Sequence, residues 1–147
     1  MKLFRILMYA MIVTQCVYAQ QHVVDMLNTL DGNIMVFNPP VIKVKPNDTV
    51  VFKSVDAGHN TESYAVPKGA VTWEGAISKS VTVKFDKPGT YVYICEPHIM
   101  MGMLGIVQVG DVKDKDIVTR SFAELEKRVM MNKDRLAKYK GTWEQSS

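Results

Sequence analysis

The chain of 147 residues carries 18 Lys and Arg against 15 Asp and Glu, with 47% hydrophobic residues and two cysteines. Losing Lys2 and Arg5 with an N-terminal export segment leaves 16 basic and 15 acidic residues, a net charge of +1 that gives no basis for binding nucleic acid or an anionic membrane. The remaining 128 residues suffice for one domain that buries about two-thirds of its unfolded surface.

Residues 1–19 read as a signal peptide. Lys2 and Arg5 give a positive start, Leu3, Phe4 and residues 6–13 an apolar middle, and Val17-Tyr18-Ala19 a cleavage site. The apolar stretch is short for a membrane span. Cleavage after Ala19 is expected, with residues 20–147 as a single exported, periplasmic domain. Cys16 belongs to the discarded segment, because Gln15 is too large to precede a lipidated cysteine. The new terminus would be Gln20-Gln21-His22. Its amine, two amides and imidazole could chelate Cu(II) in a square plane. The plainer alternative is an exposed His in a frayed terminus, and cyclisation of Gln20 would remove the amine.

Short strands with turn punctuation follow, at 23–27, 34–37, 41–45, 49–55, 80–85, 90–95 and 104–109. Asp31-Gly32-Asn33, Pro39-Pro40, Pro46-Asn47-Asp48 and Asp86-Lys87-Pro88-Gly89 separate them. Residues 60–79 look irregular, with a short strand or turn around Trp73. After Gly110 a charged connector leads to Ser121-Phe122-Ala123-Glu124, a capping-box pattern. Phe122, Leu125, Val129, Asn132 and Leu136 recur at helical spacing, which predicts one main helix over 122–138 after a turn near Ile117. The helical region spans about 112–140, and its apolar face is expected on the sheet. Seven or eight strands in one such domain predict an all-β Greek-key sandwich with a C-terminal α-helical extension.

Cys95 is the one cysteine left after cleavage, in an oxidising compartment where no partner remains for a disulfide. A free cysteine is often a small buried hydrophobe. Its company argues otherwise: Cys95-Glu96-Pro97-His98-Ile99-Met100-Met101-Gly102-Met103 ends an apolar strand, and Gly58-His59-Asn60 adds an upstream imidazole. Two His, one Cys and a weak axial Met are the ligands of a blue-copper electron-transfer site. Met100, Met101 and Met103 are all within reach of the axial position; one spacing selects Met103, a shorter one Met101. Cys and two His could also hold zinc in a site with an open position. Ligand type, spacing and compartment together point to one mononuclear copper. No nucleophile–base pair or open site suggests an enzyme.

The chain resembles the pseudoazurins, small cupredoxins. The matching features are Met26-Leu27-Asn28, Met35-Val36-Phe37, Ile42-Lys43, Pro46-Asn47-Asp48 with Thr49-Val50, Gly58-His59-Asn60 with Glu62-Ser63, Pro88-Gly89, and Cys95-Glu96-Pro97-His98 followed by Met101-Gly102-Met103, then Val109-Gly110-Asp111 and a helical tail. The resemblance implies an eight-stranded Greek-key sandwich with C-terminal helices, and His59, Cys95, His98 and Met103 as ligands of one type 1 copper. It implies that Asn60 braces the ligand loops and offers its N–H to the Cys95 sulfur. Pro97, lacking an N–H, can offer none. Phe37 and Met35 are expected near the site.

By the same resemblance the chain is a periplasmic electron carrier, with the His98 edge exposed in an apolar patch of Pro97, Ile99 and Met100, and with Ala57 and Leu30 further out. Its partner would be a nitrite or nitrous oxide reductase, or a cytochrome, met by transient docking of a monomer, with no stable membrane association. The usual lysine ring is absent: Thr29, Ala57 and Ile94 stand where basic residues are expected, and Glu96 adds an acid. Lys53, Lys68 and Lys79 could form part of a ring. Association should therefore depend less on salt than in lysine-ringed relatives. In the family this His can protonate and leave Cu(I) in acid, making His98 a pH switch. The alternative function is copper handling or delivery.

Overall fold

Alternating apolar residues build two four-stranded sheets packed face to face, as seen in the computed structural model, which describes residues 18–146. The strands are β1 (Gln21–Leu30), β2 (Asn33–Asn38), β3 (Val41–Val44), β4 (Thr49–Ser54), β5 (Glu62–Ala65), β6 (Val81–Lys84), β7 (Gly89–Ile94) and β8 (Leu104–Val109). One sheet has the order β2-β1-β4-β6, the other β3-β8-β7-β5. β1 with β4 and β3 with β8 pair in parallel, so the chain must cross between sheets; the other pairs are antiparallel. The expected sandwich of eight strands with C-terminal helices is the fold observed.

Two apolar clusters divide along the two faces of β7 and β8. Tyr91, Tyr93 and Cys95 point into the sandwich with Met26, Phe37, Phe52, Phe85, Met103 and Val107. Val92 and Ile94 point the other way, with Leu104, Ile106 and Ile99, and are covered by Phe122, Leu125, Leu136 and Trp143 from the helices. The period-2 geometry of a strand makes this division. Full burial on both faces explains why β7 and β8 read as mostly apolar runs, interrupted by the paired Thr90 and Gln108. Each large apolar side chain so buried contributes about 1.5–3 kcal/mol, enough to keep the helices docked.

Two sequence expectations fail here. Residues 60–79, expected to be irregular, hold a strand, β5, while the isolated bridge at Glu74 falls at the short strand or turn expected around Trp73. Glu62-Ser63-Tyr64-Ala65 lacks alternation because its pairing with β7 shifts register between Ser63 and Ala65. The single helix over 122–138 is instead two: α1 (Lys115–Leu125) and α2 (Asp134–Gln145). Asp114 caps α1, its carboxylate accepting the Ile117 N–H at 3.0 Å, while Ser121 is buried inside the helix. The chain leaves helical geometry after α1 because the Met130 and Met131 N–H groups bond to the Met100 carbonyl, at 2.8 and 2.9 Å. Asn132 then takes a positive φ of 55°.

Gln108 ties the helices to the sheet. Its Oε1 accepts from Thr90 Oγ1 at 2.8 Å and from Trp143 Nε1 at 2.7 Å, and its Nε2 donates to the carbonyls of Gly110 and Val112 at 3.0 Å each. At the opposite end of the chain, Gln20 and His22 are anchored rather than frayed. Gln20 N–H and His22 Nε2 each lie 2.8 Å from the buried Asp48 carboxylate, which also accepts the Lys45 N–H. The imidazole the square-planar chelate would use is thus held by Asp48. Of the signal-peptide reading, residues 1–17 lie outside the described residues. No helix among the described residues is long and apolar enough to cross a membrane.

Candidate metal centre

The last residue after β7 is Cys95, and a 3-10 helix, Glu96–Met101, begins at once. Pro97 suits its first turn, where an N–H would have no helical partner. Gly102, at φ 76°, closes it and donates to the Ile99 carbonyl at 2.9 Å. The loop is then sealed across its base, with Cys95 N–H to the Met103 carbonyl at 3.0 Å and His98 N–H to the Cys95 carbonyl at 3.1 Å. His59 comes from the loop after β4. Gly58 turns that loop at φ 92°, and a Cβ there would lie 4.0 Å from the His98 ring. Ser78 holds it from outside: its Oγ accepts the Gly58 N–H at 2.9 Å and its N–H donates to the His59 carbonyl at 2.7 Å.

Three donor atoms converge. The Nδ1 atoms of His59 and His98 are 3.1 Å apart, and Cys95 Sγ is 3.4 Å from His98 Nδ1 and 3.9 Å from His59 Nδ1. A point inside this triangle lies about 2.0 Å from all three, the length of a metal–nitrogen bond and a little short of a metal–thiolate bond. Cys95 and His59 are fully buried, and His98 is half-buried. His59 Nε2 donates to Asn28 Oδ1 at 3.0 Å, which fixes the tautomer and leaves Nδ1 with a free lone pair facing the triangle.

Burial, then the neighbouring His98, lower the His59 pKa against the pull of Asp56. Burial also lowers His98. Both imidazoles are therefore neutral near pH 7, the form that binds metal. Burial pushes the Cys95 thiol up, the Asn60 and His98 backbone N–H groups draw it down, and Glu62 and Glu96 raise it again. A cation in the triangle opposes the net rise by favouring thiolate. Two neutral nitrogens and one thiolate suit copper of the blue type.

Asn60 is buried and links the two ligand loops: Oδ1 accepts the Glu96 N–H at 2.9 Å, and Nδ2 donates to the Gly75 carbonyl at 3.3 Å. Met103 is fully buried in the cluster that holds Cys95, as is Phe37, with Met35 against it. Met101 is half-buried, and its carbonyl accepts from Asn132 Nδ2 at 2.9 Å and Arg135 Nη1 at 3.2 Å. Pro97, Ala57 and Met100 are exposed near the His98 edge, and Leu30 is half-buried.

Ile99, expected in the exposed patch around His98, is 3% exposed and packs under the helices. The 3-10 turn directs it inward. Ile94, read as replacing a surface lysine, is 1% exposed because it lies on the face of β7 that the helices cover. Glu96 is ion-paired with Arg128 at 2.7 Å and is not a bare acid. Four residues escaped the sequence reading as contributors. Asn28 stood in a matching run without a role. Arg135 had no visible motif. Met130 and Met131 were placed inside a helix. Arg135 is 4% exposed, and its guanidinium donates to the carbonyls of Ile34 at 2.7 Å, Met35 at 2.9 Å, Met101 at 3.2 Å and Gly102 at 3.3 Å.

With this geometry in place, a profile of the copper binding proteins of the plastocyanin/azurin family matches residues 24–110. The chain belongs to that family. Among similar cupredoxins, the pseudoazurin of Methylorubrum extorquens is 42% identical over 98 residues, 65% of this chain and 66% of that one. The pseudoazurin of Paracoccus pantotrophus is 37% identical over 99 residues, 66% of this chain and 68% of that one. The aligned stretch thus spans about two-thirds of these relatives' length. A solved pseudoazurin from Sinorhizobium, 35% identical, superposes with a TM-score of 0.72 over 87% of this chain and 99% of that one. The pseudoazurin resemblance is thereby shown, and the family's cofactor is copper, an ion that the grouped donors of His59, Cys95 and His98 could hold.

Proposed function

We propose that this chain is an exported carrier of single electrons, in which His59, Cys95, His98 and Met103 would hold one type 1 copper. Bound copper supplies a one-electron Cu(II)/Cu(I) couple. The observation that carries the reading is the converged triangle itself, braced from behind. Asn28 holds the His59 ring, Asn60 joins the two ligand loops, and Arg135 clamps the segment leading into Met103. Donors held this way suit both oxidation states without rearrangement. Met103 is favoured over Met101 by its full burial beside Cys95 and by the outward anchoring of the Met101 carbonyl.

His98 is the half-exposed ligand, so the electron enters and leaves at its edge, beside Pro97, Ala57 and Met100. A redox protein, such as a nitrite or nitrous oxide reductase or a cytochrome, docks there weakly and briefly. With Glu96 neutralised by Arg128 and exposed Met100 beside His98, this contact is more apolar than charged. Its rate should fall only weakly with ionic strength. The chain itself transforms no substrate. Export is by cleavage after Ala19, ahead of Gln20, whose N–H donates to Asp48 and whose carbonyl accepts from Thr49.

The test is a visible spectrum of the purified copper-loaded chain. The carrier reading expects an intense thiolate-to-copper band that a reductant bleaches and an oxidant restores. A colourless oxidised form, or bleaching that does not reverse, refutes it. A delivery protein would instead surrender Cu(I) to an acceptor.

A further inference from the structure

Seven methionines lie within residues 18–146, and they sort sharply by exposure. Met26 and Met103 are fully buried, while Met35 and Met101 are partly so. Met100, Met130 and Met131 are 60%, 63% and 49% exposed. These three come from two segments far apart in the chain, yet their backbones touch, because the Met130 and Met131 N–H groups share the Met100 carbonyl. Asn132 and Arg135 pin the same segment to the Met101 carbonyl. The unbranched thioether stem is adaptable enough for sulfurs from adjoining backbones to meet at one point.

We propose that Met100, Met130 and Met131 form a surface site for Cu(I), at the mouth of the buried centre. Thioether sulfur is a soft, neutral donor that selects Cu(I) over hard cations. An apolar docking patch would be served equally by Leu or Val; three exposed thioethers in one place add the one chemistry those residues lack. The nearby Glu96 and Arg128 are paired with each other, so no free carboxylate in that pair competes for a hard ion. Met100 sits two residues beyond His98, on the same 3-10 helix. The site is therefore placed to hand metal to the centre or take it back. In that exchange His59, His98 and Cys95 replace the thioethers, Cys95 releases its thiol proton to water, and no electron is transferred.

The experiment uses the reduced, copper-loaded protein, titrated without oxygen with Cu(I) buffered by a chromophoric chelator. Native protein should bind a second Cu(I) per chain. The M100L/M130L/M131L variant should bind none beyond the first, while keeping its visible band on reoxidation. A single Cu(I) in the native protein, or an undiminished second one in the variant, overturns the proposal. Independently, Ag(I) added to the reduced native protein should shift the methyl resonances of Met100, Met130 and Met131 and leave those of Met26 and Met103 in place. Unmoved resonances for the three count against it. The stoichiometry decides this site even if the carrier reading fails, since that reading is judged on reversible colour alone.

Discussion

Replacing Arg135 with Leu should be the most damaging single change outside the ligands. The guanidinium is 4% exposed and donates to four carbonyls, two on β2 and two at the end of the ligand loop. Leu removes all four charge-assisted bonds and leaves the carbonyls of Ile34, Met35, Met101 and Gly102 to find other donors. The relief of a desolvated cation offsets part of this loss. A net cost of about 3–5 kcal/mol follows, from about 1–3 kcal/mol for each buried group left unsatisfied. For a domain of this size it corresponds to a fall in Tm of about 15 °C. Thermal unfolding of the copper-loaded protein, followed by far-UV circular dichroism and by the visible band, measures it. Because the clamp grips Met101 and Gly102, the band should change in the variant even below the transition. Arg135→Lys should recover part of the stability, having the charge but not the planar fork. A Tm within about 3 °C of native, with an unaltered band, would show that the four bonds carry little weight.

Asn28→Leu removes the acceptor for His59 Nε2–H and should weaken copper affinity about 10–100-fold, measured by chelator competition; unchanged affinity would dismiss Asn28 as a positioning residue. Asp48→Asn should destabilise the fold by about 1–3 kcal/mol at neutral pH, because an amide offers one acceptor where three donors converge. Burial raises the Asp48 pKa, but hydrogen bonds from Gln20, His22 and Lys45 outweigh it and hold the carboxyl below its usual value. Its stabilisation is thus complete above the unfolded carboxylate range and is lost as pH falls through the depressed folded value. The gap between native and variant urea midpoints should narrow below about pH 4; a gap constant to pH 2 contradicts this assignment. Gln108→Leu should cost about 2–4 kcal/mol by stranding Thr90 and Trp143, and should raise hydrogen exchange in α2 before the sheets.

Cys95, His59, His98 and the strands that carry them were legible because their information is local. Strand alternation repeats every two residues, and a ligand loop of fixed length sets which donors can share one ion. The copper family followed from residues that chemistry leaves few ways to combine. The preference for Met103 over Met101 rested on resemblance, since both spacings reach the axial position.

Other features depend on which surfaces meet, which no short window of sequence contains. Ile94 and Ile99 read as surface residues until α1 and α2 cover that face of the second sheet. The helix over 122–138 breaks because the Met100 carbonyl competes successfully for the Met130 and Met131 N–H groups, a bond made across the fold. Asn28 and Arg135 act on the centre from 31 and 33 residues or more away along the chain. Donor identity was written locally in the chain, while the bracing, covering and exposure of those donors arose only when distant segments packed together.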